Sequence, residues 1–280
     1  MESDSVRKAV EIAKDIKESP VSLNTEQLAF LFSAIDLTTL NNHDNDESVK
    51  AFCEKVNDFD APKYNLPYLA AVCVFPNFIA TAKKTLVNSA IQLACVTGNF
   101  PTGQTFPLMK VIETQKAVED GASEIDMVIN RGYTVNNEFS LIEKEVSEVK
   151  SACDGARLKV ILETSDFSDD MKLYSASMAA LKGGADFLKT STGKTNEGAT
   201  LHKGAILCAA IKDHATKWGM QTGVKFSGGI RTSEDAQRYV RLVHEILGKD
   251  WITPTFFRIG ASSLAGKVLT DMDKNISHSF

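Results

Sequence analysis

The sequence predicts a single (β/α)8 barrel, a TIM-barrel α/β fold, and three observations carry that expectation. Eight short, apolar, β-rich segments alternate with eight helical ones, the pattern of a parallel sheet with its helices outside. The chain has 280 residues, the usual size of one such barrel. No G-x-G-x-x-G follows the first strand, so the competing doubly wound open sheet lacks its dinucleotide signature. No linker, low-complexity tract or composition shift divides the chain. Residues 1–280 are therefore expected to form one domain, with a helical extension over 1–32 and a tail over 274–280.

In chain order, Val6, Val10, Ala13 and Ile16 share a helical face, which predicts an amphipathic helix up to Lys17. Pro20 follows it, and a second helix over 25–32 leads into the first strand. Strands are then expected at 34–37, 69–75, 92–96, 124–129, 158–163, 186–189, 223–226 and 256–259. The helices expected after them cover 47–56, 78–88, 108–120, 140–152, 171–182, 201–218, 233–247 and 263–273. Eight βα units in strict alternation argue for closure.

Composition removes several classes of function. A net charge of −5 argues against nucleic acid as a partner and offers nothing to a membrane surface, so any phosphate specificity must be local. The charged N-terminus has no apolar core of a signal peptide, and no run approaches membrane-spanning length. Five scattered cysteines without paired spacing read as free thiols of a reducing cytoplasm, where the protein is expected to reside. Five histidines form no short ligand pair, so neither a metal nor another cofactor is expected.

Charges inside strands carry the chemical argument. The apolar run 185–188 ends in Lys189, although a strand buried on both faces should be almost wholly apolar. Lys189 breaks that rule at the strand's C-terminal end, where α/β enzymes place their chemistry. The loop after it closes on Gly193, Lys194 and Thr195, but a nucleotide-binding loop needs a glycine five residues before Gly193, where Leu188 stands. Asp36 ends strand one, Asp126 lies in strand four, Glu163 ends strand five and Lys225 lies in strand seven. An isolated charge in a dry interior is costly unless it is paired or used. Strands four to seven are neighbours in a closed barrel, which brings Asp126, Lys189 and Lys225 together in its mouth. An ion-pair network that merely fills the barrel is the structural alternative. Two lysines on adjacent strands favour chemistry. Burial and a neighbouring cation both lower a lysine's pKa, and a neutral amine is what a Schiff-base nucleophile needs.

A second constellation suits phosphate. Ser227-Gly228-Gly229-Ile230-Arg231 follows strand seven and Gly260-Ala261-Ser262-Ser263 follows strand eight, the loops with which barrels hold phosphate through backbone N–H groups. Lys194 adds a cation from the strand-six loop. The glycines also read as turn formers, and Ser262 or Ser263 as a helix cap.

Eight segments in order resemble the deoxyribose-phosphate aldolases, class I Schiff-base aldolases with a (β/α)8 fold. They are IDLTTLN (35–41), VCVFP (72–76), GNFPTG (98–103), GASEIDMV (121–128), LKVILET (158–164), DFLKTSTGK (186–194), GVKFSGGIRT (223–232) and FRIGASS (257–263). The resemblance implies reversible cleavage of 2-deoxy-D-ribose 5-phosphate to acetaldehyde and D-glyceraldehyde 3-phosphate. It implies that Lys189 forms the imine, that Lys225 holds down its pKa, and that Asp126 moves protons. It assigns Asp36, Thr38 and Cys73 to the lining of the same pocket. Phosphate contacts fall to Gly193, Lys194, Gly228, Gly229, Gly260, Ser262 and Ser263, and a homodimer is implied. One departure is visible. Familiar members end in a tail whose tyrosine assists proton transfer, whereas here no tyrosine follows Tyr239. Another Schiff-base sugar-phosphate aldolase, or a non-catalytic sugar-phosphate sensor on this scaffold, are the alternative readings.

Overall fold

The computed structural model describes residues 4–273 together with Ile276, His278 and Phe280. Eight parallel strands close in sequence order: β1 (Ile35–Thr38), β2 (Ala71–Val74), β3 (Gln92–Thr97), β4 (Glu124–Val128), β5 (Arg157–Ile161), β6 (Phe187–Lys189), β7 (Gly223–Ser227) and β8 (Phe257–Ala261). Closure is made where Ile35 and Asp36 of β1 stand opposite Ile259 and Gly260 of β8. The open-sheet alternative is thereby excluded. Two helices precede the barrel, α1 (Asp4–Glu18) and α2 (Thr25–Ser33). Between and after the strands come α3 (Asp46–Asp58), α4 (Ile79–Thr85), α5 (Pro107–Glu119), α6 (Gly132–Val135), α7 (Phe139–Ala152), α8 (Asp170–Lys182), α9 (Leu201–Trp218), α10 (Ser233–Leu247) and α11 (Leu264–Met272).

The period-2 alternation of each strand separates two interiors. Val72, Val74, Leu93, Cys95, Ile125, Met127, Leu158, Val160, Leu188, Val224, Phe226, Phe257 and Ile259 belong to the main apolar core, shared with the surrounding helices. The opposite parity fills the barrel itself. On β2 and β3 it supplies Ala71, Cys73, Ala94 and Val96, a separate small apolar cluster. From β4 round to β8 and β1 it supplies Glu124, Asp126, Lys159, Lys189, Lys225, Arg258 and Asp36, all buried. Branched apolar layers usually occupy this space. Half of this barrel is filled with charge instead.

Every expected strand is present, but β5 stops at Ile161. Glu163, expected at its end, lies beyond it with φ +50°, in the left-handed region. The helix expected over 78–88 opens as a 3₁₀ turn at Pro76–Phe78, because proline supplies no N–H, and the α-helix ends at Thr85. The short helix α6 carries too few residues to show a period. The amphipathic α1 buries Val6, Ala9, Val10, Ala13 and Ile16, and α1 packs against α9 and α10. Residues 274, 275, 277 and 279 of the expected tail lie outside the described residues. Ile276 is buried, His278 is 2.9 Å from the Lys55 carbonyl oxygen, and the Phe280 ring packs on Phe32 and Phe59. Lys55 and Phe59 mark the C-terminal end of α3, the side of the barrel away from the strands' C-terminal ends.

Candidate active site

The site has a floor of buried charge and a rim of glycine-rich backbone. On the floor, Lys189 at the end of β6 and Lys225 in the middle of β7 stand opposite each other in register. Both ammonium groups donate to Asp126 Oδ2 at 2.7 Å. Lys225 also pairs with Asp36. The other oxygen of Asp126 accepts from Lys159 at 2.9 Å, and Lys159 also reaches Glu124 at 2.6 Å and Asp36 at 3.4 Å. Arg258 completes the network, with Asp36 at 2.6 Å and Glu124 at 2.8 Å. Four buried cations therefore face three buried carboxylates. The set balances when one amine is neutral.

The pKa directions point to the same amine. Lys189 is held below the ordinary lysine range, first by burial and then by the Lys225 charge, with Asp126 acting in the opposite sense. Lys225 is buried just as deeply, yet Asp126 and Asp36 together outweigh that burial and raise its pKa. Burial works against ionisation of Asp126 as well, but Lys159, Lys189 and Lys225 outweigh it and hold the carboxyl well below the usual range. Asp36 is depressed in the same way by Lys225, Lys159 and Arg258. Lys189 has one carboxylate partner and Lys225 has two. That difference decides which of them loses its proton first.

Above the floor opens a cavity of ≈ 300 Å³. Lys189 lines it, with Thr38 and all seven residues expected at a phosphate: Gly193, Lys194, Gly228, Gly229, Gly260, Ser262 and Ser263. Two of the other expected residues lie deeper. Asp36 and Cys73 do not line this cavity; they lie beneath it, 0% and 1% exposed. Asp36 is drawn down by Arg258 and the lysines. Cys73 belongs to the apolar cluster of β2 and β3, where burial pushes its thiol up to about 11. Asp126 and Lys225 lie below the cavity too, so Lys189 alone of the three presumed reacting groups meets its space. Thr38 reaches the cavity while its hydroxyl donates to the Asp36 carbonyl at 2.8 Å.

The rim is built by loops that only glycine permits. Gly228 has φ +83°, and a Cβ there would lie 2.9 Å from Gly198 Cα and 3.3 Å from Gly193 Cα, so the loops after β6 and β7 touch backbone to backbone. At Gly260 a Cβ would stand 3.0 Å from Lys225 Cε, because the lysine stem passes directly beneath. Ser263 occupies the cap position of α11, but its side chain makes no capping hydrogen bond, contrary to the helix-cap reading. Lys194 donates to the Leu40 carbonyl at 2.6 Å, tying the β6 loop across the mouth to the β1 loop. Ser227 and Arg231 of the loop after β7 also line the cavity, as do Asn41 and Thr192, which were not singled out from the sequence. Among the described residues no group of three or more His, Cys, Asp or Glu side chains is arranged to hold a metal ion, and no helix is long and apolar enough to cross a membrane.

Sequence reasoning passed over Glu124, Lys159 and Arg258, although each lies in an expected strand. The same rule that singled out Asp126 and Lys225 finds them: a charge at the parity of the barrel interior, two residues from another charged or small position.

Comparison with known proteins agrees with this geometry. Residues 30–265 match the model of a family described as DeoC/LacD family aldolase. The deoxyribose-phosphate aldolase of Mus musculus is 39% identical over 266 residues, covering 90% of this chain and 82% of that protein. The Homo sapiens protein of the same name is 38% identical over the same length. Among solved structures, the tetrameric deoxyribose phosphate aldolase from Aeropyrum pernix is similar with a TM-score of 0.67 and 28% identity, covering 98% of this chain and 100% of that one. The matched span contains all eight strands, the lysine-bearing floor and the glycine rim, and the chain belongs to the DeoC/LacD family of aldolases.

Proposed function

We propose that the chain cleaves 2-deoxy-D-ribose 5-phosphate reversibly to acetaldehyde and D-glyceraldehyde 3-phosphate through an imine on Lys189. The observation that carries this reading is the position of Lys189. It is a buried lysine with a lowered pKa, at the floor of a cavity whose other end is glycine loops, two serines and Lys194. The neutral amine attacks the sugar's carbonyl carbon, and loss of water from the carbinolamine leaves a protonated imine. A base removes the proton of the hydroxyl at the third carbon. The bond between the second and third carbons breaks, and its electron pair moves toward the imine nitrogen, giving an enamine and glyceraldehyde phosphate. Protonation of the enamine carbon and hydrolysis return acetaldehyde and the free lysine.

Asp126 suits the proton transfers because its two oxygens bridge three lysines. It becomes more basic whenever Lys189 sheds its charge, the moment at which a proton must move. Lys225 stays protonated between its two carboxylates and keeps Lys189 from doing so. Gly193, Lys194, Gly228, Gly229, Gly260, Ser262 and Ser263 hold the phosphate. Thr38 meets a sugar hydroxyl, and Asp36 and Cys73 act from beneath the floor. The substrate class follows the names of the relatives together with the single anion-binding rim. Assembly as a homodimer and a cytoplasmic location belong to the same reading, checked by light scattering and by fractionation.

Borohydride trapping in the presence of acetaldehyde, followed by peptide mass spectrometry, tests the mechanism. An ethyl adduct on Lys189 alone is expected. An adduct on Lys225 would exchange the two roles, and no adduct from folded protein would sink the imine and leave the sugar-phosphate sensor.

A further inference from the structure

We propose that Glu163 is a positioning residue that shapes the anion end of the cavity and so sets the preference for phosphorylated over unphosphorylated sugar; this rests on the substrate reading above. Glu163 is a buried carboxylate that neither lines the cavity nor belongs to the lysine network. Its backbone has φ +50°, a conformation that residues with side chains rarely adopt. Such a conformation persists where the surroundings over-determine it, and it marks sites of function. Glu163 precedes a short 3₁₀ turn, Thr164–Asp166, yet its side chain makes no capping bond to that turn. It reaches across to the loop after β6 instead. Oε2 accepts the Thr192 hydroxyl at 2.5 Å and the Thr192 N–H at 3.2 Å, and Oε1 accepts the Ser165 hydroxyl at 3.3 Å, while Thr195 Oγ1 stands 3.4 Å from Oε1 with its proton given to the Glu197 carbonyl at 2.8 Å.

None of these hydrogen-bond partners carries a charge; the Arg131 guanidinium, itself paired with Asp166, adds an attraction from outside the set. The Thr192 hydroxyl, with its proton committed to Glu163, turns a lone pair toward the Lys194 N–H at 3.1 Å. The carboxylate, Thr192 and the Lys194 backbone form one chain, and Gly193 sits within the turn that this chain closes. Gly193 and Lys194 wall the cavity. The Lys194 side chain is aimed from that turn. Glu163 thus fixes, from outside the cavity, the geometry of the groups that meet the anion, while Lys189 at the loop's start is pinned separately by Asp126.

The test compares cleavage of 2-deoxyribose 5-phosphate and of free 2-deoxyribose by the wild type, Glu163→Gln, Glu163→Asp and Thr192→Val. In Glu163→Gln the KM for the phosphorylated sugar should rise about tenfold or more, since a neutral amide oxygen holds the two Thr192 donors less strongly than a carboxylate does, its NH2 group meets the Ser165 hydroxyl, and the loop shifts. Its kcat on the free sugar should stay within about twofold, because the floor is untouched. Thr192→Val should raise the same KM, and Glu163→Asp should recover part of the loss. Equal losses with both substrates, or an unchanged KM, overturn the proposal. Should Glu163→Gln fail to fold, Glu163→Asp decides: its shorter carboxylate must raise the KM for the phosphorylated sugar and leave kcat on the free sugar within about twofold, because Glu163 lies outside the cavity that Thr192 itself lines. A wild type that does not distinguish the two sugars would sink the substrate reading instead.

Discussion

The floor and the rim of this cavity solve opposite problems. The floor must place charges accurately in a dry space, and it does so with side chains from six strands, each ion but Lys189 paired on more than one side. On the proposed reading, the rim receives a doubly charged, strongly hydrated group and releases it again. It uses loop backbone, two exposed serines and one tethered lysine. A floor group is worth its charge and its neighbours' charges. A rim group is worth its local shape. Substitutions on the floor should therefore change how the chemistry depends on pH, and substitutions on the rim should change which substrate is bound.

The largest effect is expected on the floor. Lys189→Ala should reduce cleavage to background and abolish borohydride trapping, while thermal unfolding shows that the fold persists. Asp126 keeps Lys159 and Lys225, and a buried amine that resisted its own charge has been removed. Next comes Lys225→Leu. Lys189 is active when neutral, so activity falls as the pH drops through its lowered pKa. Loss of Lys225 removes a repelling cation and leaves Asp126 freer to hold the Lys189 proton, and both changes raise that pKa. The acid limb of the pH–rate profile should move to higher pH, costing about tenfold in rate near neutrality for each unit moved. The same variant takes one cation from Asp36 and one from Asp126, each of which keeps two others, so unfolding should become easier by about 1–3 kcal/mol. An unmoved acid limb would break the contrast between floor and rim at its centre.

Ser262→Asp addresses the rim. An added carboxylate beside an incoming phosphate should raise the KM of the phosphorylated sugar by about a hundredfold, since like charges brought together cost several kcal/mol. Addition reactions between free aldehydes, and the pH profile, should not move. Ser262 is the better site for this test than Gly228, where any side chain would push the 193–199 backbone aside and confound binding with folding.

The fold was legible because β/α alternation is a one-dimensional pattern, and Lys189 stood out as a charge that follows Phe187 and Leu188 at the C-terminal end of its strand. The floor was legible only in part. Asp126 and Lys225 were found as charges in apolar strands, yet Arg258 and Lys159 obey the same rule and were overlooked. Their meaning appears only when closure sets β8 beside β1 and carries Arg258 to Asp36. Asp36 and Cys73 show the converse limit. Motif matching put both beside the substrate, but how far a side chain stands below a cavity depends on the stagger of the strands, which no local pattern records. Glu163 was noticed as a charge and misplaced, because the end of a strand and a left-handed turn two residues past it look alike in sequence.

The smallest effect is expected from the tail, and it tests whether a third region takes part at all. Ile276, His278 and Phe280 pack against Lys55, Phe32 and Phe59, at the end of the barrel opposite the cavity. No tyrosine follows Tyr239, so the tail offers no phenol to the reaction. Deleting residues 274–280 should lower the unfolding temperature, because burial of Ile276 alone contributes about 1.5–3 kcal/mol. Turnover at a temperature where the fold holds should stay within about threefold, with the KM unchanged. A collapse of kcat without a fall in unfolding temperature would give the tail a share in the chemistry. The floor would then no longer be the only source of protons.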